Sequence, residues 1–134
     1  MNLVLDSYAW IELFLGGEKG EKVKQLISDA DEVRTPSIVL AEVSRKYHRE
    51  NVDEKRIKSR LETISSTSIL TSVDTLVALK AGRAYLELAE KAKQERRRPP
   101  SLFDAIVLAT ARQHDSKVLT GDEHFKSFPE TIII

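Results

Sequence analysis

The chain contains no cysteine. That absence excludes disulfides, thiolate metal sites and a cysteine nucleophile, so any site must be built from oxygen and nitrogen ligands, and it agrees with a reducing compartment. Long apolar runs are missing as well. Nothing approaches the roughly 20 residues that span a bilayer, and the start Met1-Asn2-Leu3-Val4-Leu5-Asp6 lacks the basic residues and apolar stretch of a signal peptide. The expected location is the cytoplasm. Net charge is absent too: 21 Lys and Arg balance 21 Asp and Glu, which argues against a protein that coats nucleic acid by electrostatics alone. No internal repeat or low-complexity tract divides the sequence. Its 134 residues suit one domain, residues 1–134, burying about two-thirds of the unfolded surface.

What the chain does have is short apolar strands alternating with amphipathic helices, the pattern of a parallel α/β sheet. Leu3 to Leu5 reads as a buried strand, and the helix after it carries Trp10, Ile11, Leu13 and Phe14 until Gly16-Gly17 stops it. From Glu18, the residues Val23, Leu26, Ile27 and Ala30 recur at helical spacing. Val33 to Thr35 is a brief strand, and Pro36-Ser37 is expected to open a helix through Glu42 toward Tyr47, with proline in its tolerated place near the start. Asp53 is placed to cap a helix containing Ile57, Leu61 and Ile64. Ile69-Leu70 makes a third strand, followed by a long amphipathic helix marked by Val77, Ala81, Ala84 and Leu88. Arg96 to Pro100 is the one evident break. Ser101 begins a helix whose uncharged segment, Ala105 to Ala111, is expected to be buried on most faces, and Val118 to Thr120 and Thr131 to Ile134 complete the strands.

Four acids stand out against this pattern. Asp6 directly follows the first strand, Asp122 follows Val118-Leu119-Thr120-Gly121, and Glu42 and Asp104 lie on intervening helices. In a parallel sheet the carboxyl ends of the strands share one edge, where acids distant in sequence converge. Converging carboxylates repel one another unless a positive charge joins them, and a hard divalent cation is the simplest such charge. Each acid also has a structural explanation. Asp6 fits a helix cap, Ser101-Leu102-Phe103-Asp104 fits a capping box with aspartate in place of glutamate, and Asp122 fits a turn or cap. Glu42 is hardest to explain away, because it follows four apolar residues and sits beside the buried stripe, where an unpaired carboxylate is costly. Taken jointly, the four make the chain a candidate metal-dependent nuclease. Glu12, six residues after Asp6, is expected near the opposite helix face and is left out of the site. His48, His114 and His124 are expected to be surface or packing residues.

The same residues carry a family resemblance. Asp6-Ser7, Glu42 in Leu40-Ala41-Glu42-Val43, Asp104 in Phe103-Asp104-Ala105-Ile106, and Val118-Leu119-Thr120-Gly121-Asp122-Glu123-His124-Phe125 together resemble a PIN domain, specifically the VapC-type toxin ribonucleases, across essentially the whole chain. The resemblance implies a three-layer α/β/α sandwich with a five-stranded parallel sheet of order 3-2-1-4-5. It implies a catalytic site binding Mg²⁺ or Mn²⁺, with Asp6 and Asp104 as principal ligands, Glu42 and Asp122 as the other acids, and Thr120 and Ser7 in support. The reaction implied is cleavage of single-stranded RNA, in which the cation polarises the phosphoryl group and acidifies a water.

Partners follow from the same resemblance: RNA, a VapB-like antitoxin and a second copy in a homodimer, with no membrane. Arg96, Arg97 and Arg98 are candidate RNA contacts, and the segment from Glu95 to Pro100 is longer and more basic than the family pattern. Helices carrying Tyr47 and Tyr85 offer the dimer an apolar surface, unless these tyrosines belong to the core. Two alternatives stand beside the toxin reading. One is a noncatalytic RNA-binding or protein-interaction module, favoured by the neutral charge and opposed by the complete set of acids. The other is a structure-specific DNA nuclease, opposed by the short chain.

Overall fold

Leu3, Val4 and Leu5 are at most 1% exposed, because the strand they form, β1 (Asn2–Leu5), lies in the middle of the sheet with helices over both faces. A strand covered on both sides reads as an unbroken apolar run. In the computed structural model, which describes residues 1–134, β1 leads into α1 (Ser7–Leu15) and α2 (Gly17–Asp29), then β2 (Glu32–Pro36), α3 (Ile38–Arg49) and α4 (Glu54–Thr67). There follow β3 (Ile69–Thr71), α5 (Thr75–Gln94), α6 (Leu102–Gln113), β4 (Lys117–Thr120), a 3₁₀ turn (Glu123–Phe125) and β5 (Thr131–Ile133). No helix is long and apolar enough to cross a membrane.

The strand order is β3-β2-β1-β4-β5, with every pairing parallel, giving the expected three-layer α/β/α sandwich. The chain builds outward from β1 through β2 to β3, then returns to lay β4 and β5 on the other side. That reversal makes the gap between β1 and β4 a switch point, where a crevice opens at the carboxyl ends of the strands. Register fixes what faces it: Leu5 pairs with Leu119, so Asp6 and Thr120 leave the sheet side by side.

Most elements form where apolar periodicity places them. Residues Ala105 to Ala111 are all buried, and Asp53 caps α4 by accepting from the Arg56 amide at 3.0 Å. Tyr47 is a core residue at 4% exposure. Pro36 departs from expectation: it ends β2 opposite Thr71, and α3 starts two residues later at Ile38. The missing proline N–H is harmless there, since β1 has already ended and the Ser37 amide carries the ladder on by donating to the Thr71 carbonyl at 2.9 Å.

Three helices close through a left-handed residue: Asn51 (φ 58°), Arg96 (φ 56°) and Asp115 (φ 47°). In each, the next amide donates to the carbonyl five residues back, Val52 to Tyr47 at 3.0 Å, Arg97 to Ala92 at 2.8 Å and Ser116 to Ala111 at 2.9 Å, which is the Schellman closure. Asparagine and aspartate tolerate this conformation; arginine is seldom found in it.

Two helical glycines differ in what surrounds them. At Gly20 of α2 a methyl would lie 2.6 Å from the Glu12 carbonyl oxygen, whereas at Gly82 of α5 nothing lies within 4 Å. Gly20 therefore permits the close crossing of α2 against the C-terminal half of α1, at Glu12 and Leu13. Helix propensity alone favours alanine at both positions. Urea unfolding is expected to show Gly20→Ala destabilised by about 1–3 kcal/mol and Gly82→Ala stabilised by about 0.5–1 kcal/mol; stabilisation by both would exclude the tight crossing.

Candidate metal and phosphodiester site

β1 delivers Asp6 to the switch point, where it caps α1. Its Oδ1 accepts from the Ala9 amide at 3.0 Å, and its Oδ2 accepts from the Thr120 hydroxyl. Thr120 closes β4 and is fully buried. Its hydroxyl oxygen also accepts from the Asp122 amide at 2.9 Å. One threonine thus joins the residue that follows β1 to the one that follows β4.

Asp122 caps the 3₁₀ turn, its Oδ1 taking the His124 amide at 2.9 Å. Asp104 lies in the first turn of α6, in a complete capping box: its amide donates to Ser101 Oγ at 3.1 Å, and its Oδ2 accepts from the Ser101 amide at 2.9 Å. Glu42 projects from α3 between buried Val39 and Val43. All four acids, with Ser7, line one cavity of about 490 Å³. Ile11, Leu15, Tyr47 and Val107 form its apolar wall, and Lys46, paired with Glu50 at 2.9 Å, stands at its margin.

Burial and mutual repulsion show in the acidities. Burial, reinforced by the charges of Asp122 and Glu42, raises the Asp6 carboxyl to about 7 against the opposing hydrogen bonds from Thr120 and Ala9. Glu42 is raised to about 7 by burial, then by Asp104 and Asp122, with Arg45 opposing. Asp104 is raised by burial and by Asp122, while the Ser101 bonds pull it down. Such a donor set of hard oxygens, crowded in a partly closed site and resisting ionisation, fits a divalent cation. One carboxylate oxygen each of Asp104 and Asp122 and one ring nitrogen of His124 lie within 4.8 Å of one another.

His124, expected on the surface or in packing, is at the site. Its Nδ1 lies 2.9 Å from Asp122 Oδ1 and its Nε2 lies 2.7 Å from the Arg98 carbonyl oxygen. Burial lowers its basicity, but the Arg98 carbonyl and Asp122 outweigh burial and the net shift is upward. The available signal was the Asp-x-His spacing in a turn directly after a strand. His48 and His114 lie elsewhere, His48 against the Ser44 carbonyl. Glu12, expected to face away, lines the cavity, because the cavity wraps round α1 well beyond the acidic floor. Of the three candidate RNA contacts, Arg96 and Arg98 are exposed. The Arg97 guanidinium is instead engaged by Glu95 and Glu123, which makes it a fastening within the protein.

Comparison with known proteins agrees with this geometry. The sequence model of the PIN domain family matches residues 3–130. No curated protein matches the chain. Among solved structures, a DNA-bound VapBC from Salmonella typhimurium is similar with a TM-score of 0.72 and 22% identity, over 100% of this chain and 97% of that one. VapC20 of Mycobacterium tuberculosis, a sarcin-ricin loop cleaving toxin, has a TM-score of 0.70 and 18% identity over 95% of each chain. A toxin-antitoxin complex from Klebsiella pneumoniae has a TM-score of 0.67 and 23% identity, covering 97% of this chain and 95% of its own. At these identities the likeness is one of fold. With its family model matched almost from end to end, the chain belongs to the PIN domain family.

Proposed function

We propose that this PIN domain is a divalent-metal-dependent endoribonuclease that cuts single-stranded RNA, and that it acts as one cytoplasmic domain, the toxin of a VapBC-type pair. One observation carries the proposal: four carboxylates from four separate elements share a single cavity at the switch point. Repelling acids gathered at such a place fit a site for Mg²⁺ or Mn²⁺ held by Asp6, Asp104, Glu42 and Asp122. The bound cation supplies a Lewis acid for the phosphodiester and acidifies a water. Thr120 holds Asp6 and Asp122 in register, Ser7 borders the floor, and Arg96 and Arg98 offer charge to the RNA backbone. The solved VapBC complexes support a VapB-like antitoxin as partner, and the apolar wall beside an acidic floor suits a tail carrying both a basic and an apolar residue. A homodimer would cover the stripe of α5 that leaves Leu76, Leu79 and Leu86 at 54%, 75% and 70% exposure.

Metal and pH act on stability together. Asp6 and Glu42 are raised to about 7 in the folded chain, so the native state holds protons that the unfolded chain releases near pH 4. Their contribution is greatest below pH 4 and is lost as pH rises through 7. The metal-free protein is expected to melt lower at pH 8 than at pH 5.5. Excess Mn²⁺ at about a hundred times Kd should raise the pH 8 melting temperature by roughly 8 °C and act less at pH 5.5. Asp104→Asn should blunt the response while keeping a capping acceptor for Ser101. Equal responses from the two proteins would remove Asp104 from the metal site.

Cleavage of single-stranded RNA is expected only with a divalent cation. Asp6→Asn, Glu42→Gln, Asp104→Asn and Asp122→Asn should each lower it about 100-fold, the scale of losing a group that acts on developing charge. Cleavage surviving the Asp6→Asn/Asp104→Asn pair would refute the assignment, and RNA binding without cleavage under any cation would favour a noncatalytic module. Light scattering should report a dimer at micromolar concentration that Leu79→Glu converts to monomer; wild-type monomer throughout would refute the dimer.

A further inference from the structure

The segment between α5 and α6 is fastened to the turn after β4 by three side-chain links. Ser127 Oγ donates to Glu95 Oε1 at 2.8 Å, Arg97 bridges Glu95 and Glu123, and His124 Nε2 meets the Arg98 carbonyl at 2.7 Å. The third link reaches the acidic floor, since the other ring nitrogen of His124 contacts Asp122 Oδ1 at 2.9 Å. A single imidazole therefore separates the Arg98 main chain from a floor carboxylate. Each ring nitrogen lies against an oxygen acceptor, so turning the ring removes it from both.

The same segment carries a conformational anomaly. Arg96 ends α5 at φ 56°, where the two comparable helix ends use Asn51 and Asp115. A disfavoured backbone conformation persists where the surrounding structure enforces it, and such positions concentrate at functional sites. Arg96 and Arg98 are exposed, and unlike Arg97 neither forms an ion pair within the chain. A phosphodiester approaching four acids meets repulsion, which forked guanidinium donors at the margin would offset.

We propose that His124 is a positioning residue that sets Asp122 and the Arg96–Arg98 segment in one register, so that the two free arginines guide an RNA backbone onto the acidic floor. This rests on the ribonuclease reading above. Asp122 and the phosphate-binding margin are then coupled through one side chain, and the left-handed arginine at position 96 is retained for its charge.

The test separates the two ends of the imidazole. Binding of a labelled single-stranded RNA is measured by anisotropy across a KCl series, with Ca²⁺ in place of Mg²⁺, and Mn²⁺ affinity is measured by calorimetry without RNA. His124→Ala should weaken RNA binding and reduce the slope of log K against log salt by about 0.7 for each phosphate that is no longer neutralised, and should also weaken Mn²⁺ binding. His124→Asn, whose amide stands in for Nδ1, should recover Mn²⁺ affinity but not the slope; His124→Gln, which stands in for Nε2, should recover the slope but not Mn²⁺ affinity. Arg96→Gly should reduce the slope by about 0.7 while raising the melting temperature by about 2–4 °C. Wild-type slope and Mn²⁺ affinity in His124→Ala, or identical behaviour of the Asn and Gln variants where Ala does not fold, would overturn the coupling. An unchanged slope in Arg96→Gly would overturn the role of that arginine. A wild-type protein that neither binds RNA with Ca²⁺ nor cuts it with Mg²⁺ or Mn²⁺ would overturn the ribonuclease reading and this inference with it. Normal wild-type binding and cleavage with unaltered variants would overturn the inference alone.

Discussion

The site depends on one hydroxyl group. Thr120 donates to Asp6 and accepts from the Asp122 amide, so a single group uses its proton in one direction and a lone pair in the other. A residue that only donates or only accepts could not make both bonds. The hydroxyl spans the boundary where the sheet reverses its order of growth, so it converts adjacency of β1 and β4 into adjacency of two acids. Without it, Asp6 would be a buried carboxylate whose Oδ2 lacks its hydrogen-bond donor, and such groups are expensive.

The competing explanations offered by sequence, cap or ligand, prove compatible. Asp6, Asp104 and Asp122 each serve the start of a helix or turn, and each does so with one carboxylate oxygen: Oδ1 of Asp6 on Ala9, Oδ2 of Asp104 on Ser101, and Oδ1 of Asp122 on His124. A carboxylate has two oxygens and about four lone-pair positions, so capping fixes the side chain's direction and leaves acceptor capacity for the cavity. Capping thereby orients the acids. Glu42, the one acid that caps nothing, sits in mid-helix between buried valines, and its position is set by packing alone.

The fold was legible wherever the chain has strong periodicity. Central β1 announces itself as an unbroken apolar run, and α6 as a segment without charge. Boundaries set by tertiary contact were less legible. Pro36 reads locally as a helix opener, yet its neighbour Ser37 donates to a strand that begins more than thirty residues later, which no local signal announces. The same holds at the site. Its acids were visible because each stands at a predicted strand end or beside a buried helical stripe. His124 was not, because its importance comes from the Arg98 carbonyl 26 residues away. Likewise the ion pairs that occupy Arg97 are invisible in a run of three identical side chains.

The strand order also has a consequence in time. β1 is made well before β4, which is completed only at residue 120, so the central pairing of the sheet waits for every element between them. Non-local parallel pairings are slow to form because a large loop must close before any contact rewards it. During synthesis Asp6 emerges first, followed at intervals by Glu42, Asp104 and finally Asp122, and a growing chain that stops short of β4 has its acids scattered. The acidic floor therefore cannot assemble before Asp122 has been added. For a chain with this proposed activity, topology alone delays the appearance of the site until β4 has paired with β1.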